Sequence, residues 1–138
     1  TETAKQLGTQ VFIRPDTDVY FLLSFLHEVL ARNAIDKERV TRYMKGLGAL
    51  RAVSAQWPPE RTAKFTGISA ATLREMVGAY LGADGAALTL STGVNQGSHG
   101  TLAFWIQESI NAITGNLDRL GGTLVGHGYI EDFPKHAR

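Results

Sequence analysis

Two stretches of the 138-residue chain concentrate side chains that could hold a polar ligand, "IRPDTD" at 13–18 and "STGVNQGSHGT" at 91–101. The second offers Gly93, Gly97 and Gly100 for positive φ or close backbone approach, and Asn95 and Gln96 as amide donors and acceptors. It leads into an apolar helix predicted over 101–113, whose first N–H groups favour an anion by roughly 0.3–1 kcal/mol at an exposed site. A ligand rich in heteroatoms, such as a pterin or a diphosphate, suits that set. The common phosphate motifs do not fit. A P-loop requires G-x-x-x-x-G-K-[ST], yet no lysine lies between Gly85 and Lys135, and the spacing Gly93-x3-Gly97-x2-Gly100 misses the G-x-G-x-x-G of dinucleotide folds. A plain tight turn made of Gly, Asn and Ser accounts for the same letters, so both readings stand on pattern alone.

In the first stretch the candidate is Asp18. Asp18 falls in the first turn of a strongly patterned helix, where a carboxylate ordinarily serves the helix dipole. The functional alternative is that its two oxygens accept the pair of N–H groups on a guanine Watson–Crick edge, a pair that adenine lacks. His99 could donate to a phosphate or pterin from the second loop, although an exposed loop histidine with no such role is the plainer reading. None of His27, His99, His127 and His136 has a His or carboxylate at a metal-binding helical spacing, and no Ser-His-Asp or paired-carboxylate set is visible. The segment is therefore expected to hold no catalytic and no metal-ligating residue. Trp57 and Trp105 read as core aromatics.

Two strands and several helices are expected to position these loops. "QVFIR" at 10–14 reads as a strand, with Asp16 or Thr17 capping the helix behind it. Val19, Leu22, Leu23, Leu26, Val29 and Leu30 form one apolar helical face, with Glu28 and Arg32 off it. Asp36 caps a helix that reaches Met44 and stops at Gly46, and 47–57 reads as a weaker one. Pro59 suits a first helical position before Gly67 closes that helix, and Ser69 caps a longer one with Leu73, Met76, Val77, Tyr80 and Leu81 on one face. "AALTLS" at 86–91 reads as a strand buried on both sides. The expected fold class is thus α/β, part of a doubly wound, Rossmann-like, mostly parallel sheet with flanking helices, helix-rich in this segment. Ligands in such sheets collect at the carboxyl ends of the strands, so both loops should share one edge. Two strands cannot cover the apolar helical faces, which leads us to expect a marginal, self-associating piece of a longer protein. Residues 1–124 read as the partial cofactor-binding domain and 125–138 as an irregular extension.

Fourteen Lys and Arg against thirteen Asp and Glu give a formal charge of +1, no footprint for nucleic acid or an anionic membrane. No apolar run approaches the roughly 20 residues of a membrane span. With zero cysteines, disulfides and iron–sulfur ligation are excluded from this chain.

Three separated stretches, "VFIRPDTDVYFLLSFLHEVL", "WPPERTAKFTGISAATLREMV" and "TGVNQGSHGTLAFWIQESINAITGNLDRLGG", together resemble the molybdopterin oxidoreductase family, which includes formate dehydrogenases, nitrate reductases and dimethyl sulfoxide reductases. The resemblance runs over about residues 10–124 and rests on an R-P-G-T-D turn, a T-x-x-A-x-x-T-G-[IV] stretch, a G-x-N-Q-H-x-x-G-T loop and a terminal T-G-N. This chain departs from it twice, with Asp16 at the usual glycine and Gly97 where histidine is common. The resemblance implies that the segment holds one arm of a bis-molybdopterin guanine dinucleotide cofactor carrying molybdenum or tungsten. Pro15, Asp16 and Asp18 would line the guanosine end, while Gly93, Asn95, Gln96 and Gly100 would meet the diphosphate or pterin, with His99 of the same loop as the further candidate named above. An iron–sulfur cluster, the metal's protein ligand and the small-molecule substrate would then belong to other segments, and the partners of this one would be the remaining domains of the same polypeptide. A non-catalytic nucleotide-binding or interaction domain is the alternative.

Overall fold

The computed structural model describes residues 2–6 and 8–126; His127, His136 and most of the expected 125–138 extension lie outside them. The helices are α1 (Glu2–Gln6), α2 (Asp18–Ala31), α3 (Lys37–Tyr43), α4 (Leu47–Ser54), α5 (Pro59–Thr66), α6 (Ala70–Gly82), α7 (Thr92–Asn95) and α8 (Gly100–Ile113). Helix α2 is the axis of the fold, with α4, α5, α6 and α8 packed around it. All six apolar positions of its expected face are buried, joined in the core by Leu73 and Val77 of α6 and by Ala103, Ile106, Ile110 and Ile113 of α8.

Local chemistry accounts for where the helices begin and end. The Asp36 carboxylate accepts the Arg39 N–H at 2.9 Å, and the Ser69 hydroxyl accepts the Thr72 N–H at 3.1 Å. Pro59 opens α5, and Gly67 ends it at φ 79°, a left-handed conformation that favours glycine. Thr17 does occupy the cap position of α2, but its hydroxyl donates to the Arg14 carbonyl and the helix receives no side-chain cap.

Three expectations are corrected. Glu28 is buried although it lies off the apolar stripe, because α6 crosses α2 and places Arg74 Nε 3.0 Å from one carboxylate oxygen while Arg32 Nη2 lies 3.2 Å from the other. A carboxylate paired on both sides can be taken out of water where a lone one cannot. Trp105 is 57% exposed rather than a core aromatic, since the inward positions of α8 are Ala103, Ile106, Gln107 and Ile110. Trp57 is half-buried against Tyr20, with the Arg61 guanidinium over its ring.

The largest correction concerns the sheet. The Rossmann-like parallel sheet is not formed among the described residues, whose one bridge is an isolated pairing of Leu117 with Thr123. Both supposed strands keep a period of two. Val11 and Ile13 pack on the core around an 80% exposed Phe12, and Leu88 and Leu90 do so around exposed Ala87 and Thr89. What they lack is a neighbouring strand. The Arg14 N–H donates instead to the Thr66 carbonyl at the end of α5. The Leu88 N–H donates to Asn111 Oδ1 at 3.2 Å, and Asn111 Nδ2 donates back to the Leu88 carbonyl at 2.8 Å. A side-chain amide thus performs the exchange that a ladder partner would supply. The segment at 86–91 is accordingly half-covered, not buried on both faces.

Candidate functional site

The three separated sequence stretches meet in space. Arg14 Nη1 donates to the Lys64 carbonyl at 2.8 Å and its side chain lies against Gly67, which fixes the first loop to the end of α5. The buried Thr62 and Thr66 satisfy their hydroxyls on the α5 backbone, and Thr66 Oγ1 then accepts the Ile68 N–H. Their part in the motif is to shape the α5–α6 corner that seats Arg14.

From Arg14 the chain turns through exposed Pro15 and Asp16, the latter at φ 62°, a region that glycine and aspartate tolerate better than most residues. The Asp16 carboxylate then reaches across to the second loop. Ser98 donates its N–H to Oδ1 at 2.7 Å and its hydroxyl to Oδ2 at 2.8 Å. These two bonds hold the Asp16 carboxyl below the usual carboxylate range, with the positive side of His99 adding to the effect.

The second loop is not wholly irregular, as its first part winds into the single turn α7. None of its three glycines stands at positive φ, contrary to one of the two roles expected for them. Gly97 and Gly100 serve close approach. A Cβ on Gly97 would lie 2.6 Å from Asp16 Oδ1, and one on Gly100 would lie 2.8 Å from the Asn95 Cα. Gly93 is exposed and faces open space.

A crevice of about 10 Å³ forms where the loops join, lined by Asp16, Asp18, Val94, Gly97, His99 and Gly100 among others. Of the expected site residues it thus gathers Asp16, Asp18, His99 and Gly100. Pro15, Gly93, Asn95 and Gln96 stand outside it on the same two loops, exposed, although the Asn95 backbone packs on Gly100. Asp18, half-buried at the start of α2, makes no hydrogen bond or ion pair through its carboxylate among the described residues. Sequence reasoning passed over Ser98, whose partner is 82 positions away. It also left the T-G-N terminus without a role. Asn116 Oδ1 accepts the Ala86 N–H and Asn116 Nδ2 donates to Thr114, so this motif ties the end of α8 to the segment that leads into the loop.

Comparison with known proteins follows the same lines. No protein-family model matches the chain. It is 28% identical over 121 residues to the F420-dependent formate dehydrogenase subunit alpha of Methanocaldococcus jannaschii, covering 88% of this chain and 18% of that protein. It is 31% identical over 127 residues to biotin sulfoxide reductase of Cereibacter sphaeroides, covering 85% of this chain and 16% of that protein. The chain belongs to the molybdopterin oxidoreductase family. It spans less than a fifth of the length of these relatives. Among solved structures, acetylene hydratase from Pelobacter acetylenicus shares the fold, with a TM-score of 0.72 and 21% identity over 75% of this chain and 14% of that one. The motifs of the molybdopterin oxidoreductase pattern fall at the contacts described above.

Proposed function

We propose that this chain forms one wall of the site for a molybdopterin guanine dinucleotide arm in a molybdenum or tungsten oxidoreductase. Pro15, Asp16 and Asp18 belong to the guanosine end, and Gly93, Asn95, Gln96, His99 and Gly100 to the diphosphate or pterin. The observation that carries this reading is the junction of the two loops, which sets the Asp18 carboxylate, without a partner among the described residues, and the start of α8 around one crevice. The donor set fits the group in kind. A carboxylate accepts the guanine N–H pair, while exposed amides, the His99 ring and backbone N–H groups at a helix start suit phosphate and pterin heteroatoms. When bound, the cofactor supplies a metal centre that exchanges two electrons with a small-molecule substrate. The residues of this segment bind and orient. No catalytic residue, metal ligand or iron–sulfur ligand is assigned among them, and the remaining domains of the parent polypeptide are the partners that cover the dinucleotide.

Base identity should then govern binding more than phosphate number. Each charge-assisted hydrogen bond from the guanine edge to Asp18 contributes roughly 1.5–3 kcal/mol, more than the helix start offers a phosphate. Calorimetric titration of the full chain should find GDP binding at least about tenfold tighter than ADP, and Asp18→Asn should remove the difference. Equal binding of both nucleotides, or a preference that survives Asp18→Asn, contradicts the assignment.

A further inference from the structure

The Asp16 carboxylate spends both oxygens on Ser98, at 2.7 Å to the backbone N–H and 2.8 Å to the hydroxyl, and neither on the helix that it precedes. The same carboxylate fills the volume that a side chain at position 97 would need, the Gly97 Cβ direction ending 2.6 Å from Oδ1. A side chain at 97 would therefore require the Asp16 carboxylate to leave its place on Ser98. The two positions where this chain departs from the family pattern are the two that touch. Behind the contact, the crevice that includes Asp18, His99 and Gly100 measures about 10 Å³, space for about one water molecule and far too little for a purine or a phosphate.

We propose that Asp16 is a positioning residue, a strap that shuts the junction of the two loops in the free chain, and that its release from Ser98 admits the nucleotide. This rests on the cofactor reading above. Its logic is competitive. A ligand phosphate and the Asp16 carboxylate are both anionic acceptors, and Asp18 on α2 repels each of them, whereas His99 at the start of α8 attracts them when protonated. Apparent affinity falls by the fraction of molecules in which the strap is open. Asp16→Gly removes the carboxylate while suiting the φ of 62° at that position, so the backbone turn is kept.

Amide exchange by NMR and GDP titration of the full chain test this together. In Asp16→Gly the Ser98 amide should exchange at least about tenfold faster with α2 and α8 unchanged, and GDP should bind about fivefold tighter. Ser98→Ala, which removes only the hydroxyl bond, should give a smaller change in the same direction. Gly97→Ala should broaden the loop resonances in the parent chain and be tolerated in the Asp16→Gly background. A purely structural Asp16 predicts the opposite sign for GDP, weaker binding once the turn is loosened. Unchanged Ser98 exchange, GDP binding no tighter in Asp16→Gly, or an equal penalty for Gly97→Ala in both backgrounds overturns the strap. If no variant binds GDP, the cofactor reading falls and the gating role with it; if GDP binds and Ser98 exchange is indifferent to Asp16, the strap alone falls.

Discussion

At the scale of single residues, the contact between Asp16 and Ser98 carries a sign that pH can read. Its hydrogen bonds hold the carboxyl below the usual carboxylate range, with the Ser98 hydroxyl and then its N–H as the leading causes. A depressed carboxyl pKa contributes stability that is fully present above the ordinary aspartate range and is lost as pH falls through the depressed value. The Ser98 amide shift should accordingly show a step below the ordinary carboxylate range as the contact is lost. In Asp16→Asn, which keeps one acceptor oxygen and cannot titrate, that step should be missing; a step at or above the ordinary aspartate value that disappears in Asp16→Asn contradicts the contact. The residue types of both loops were legible in the sequence, because polar and glycine residues cluster where the apolar pattern breaks. The contact that joins them was not, since nothing local marks Asp16 and Ser98 as partners.

The elements divide by how each satisfies its backbone. Helices α2, α3, α5, α6 and α8 satisfy theirs internally, so apolar periodicity with Asp36, Ser69, Pro59 and Gly67 as end signals was enough to find them. The runs at 10–14 and 86–91 cannot, and alternating burial shows only that each has a core face, not what pairs with its edge. For 86–91 the described edge partners are side-chain amides, Asn116 at the Ala86 N–H, Gln107 at the Leu88 carbonyl and above all the fully buried Asn111, whose amide also reaches the Tyr80 hydroxyl at 3.0 Å. Two amides, Gln107 and Asn111, on the inward face of an apolar helix were the signal available in the sequence, and propensity alone gives them no weight. Asn111→Ala should leave the Leu88 N–H without its partner at about 1–3 kcal/mol, while Gln107 Nε2 still donates to the Leu88 carbonyl, and should lower the melting temperature by a few degrees. Calorimetry that finds Asn111→Ala as stable as the parent would show that the amide is dispensable.

Over the whole molecule, the helical core is closed around α2 while one side stays apolar and open. A groove of about 670 Å³ between α3, α4 and α8 is lined by residues such as Met44, Leu50, Val53, Leu102, Trp105 and Ile106. Exposed apolar surface of this kind favours association, and Phe12 adds to it at 80% exposure. The chain on its own should sediment as a concentration-dependent mixture of monomer and dimer, and Trp105→Glu should shift it to monomer without changing its helix content. A monomer at every concentration would contradict this. Such an open side is what the half-sheet argument anticipated, though the apolar surface lies between helices and not on a missing strand. The central claim remains that both loops build one ligand site. Chemical-shift mapping of the full chain during a GDP titration tests it most directly. The account predicts that amides at 16–19 and at 94–100 shift together with one dissociation constant; shifts confined to one loop, or two loops titrating independently, would contradict it.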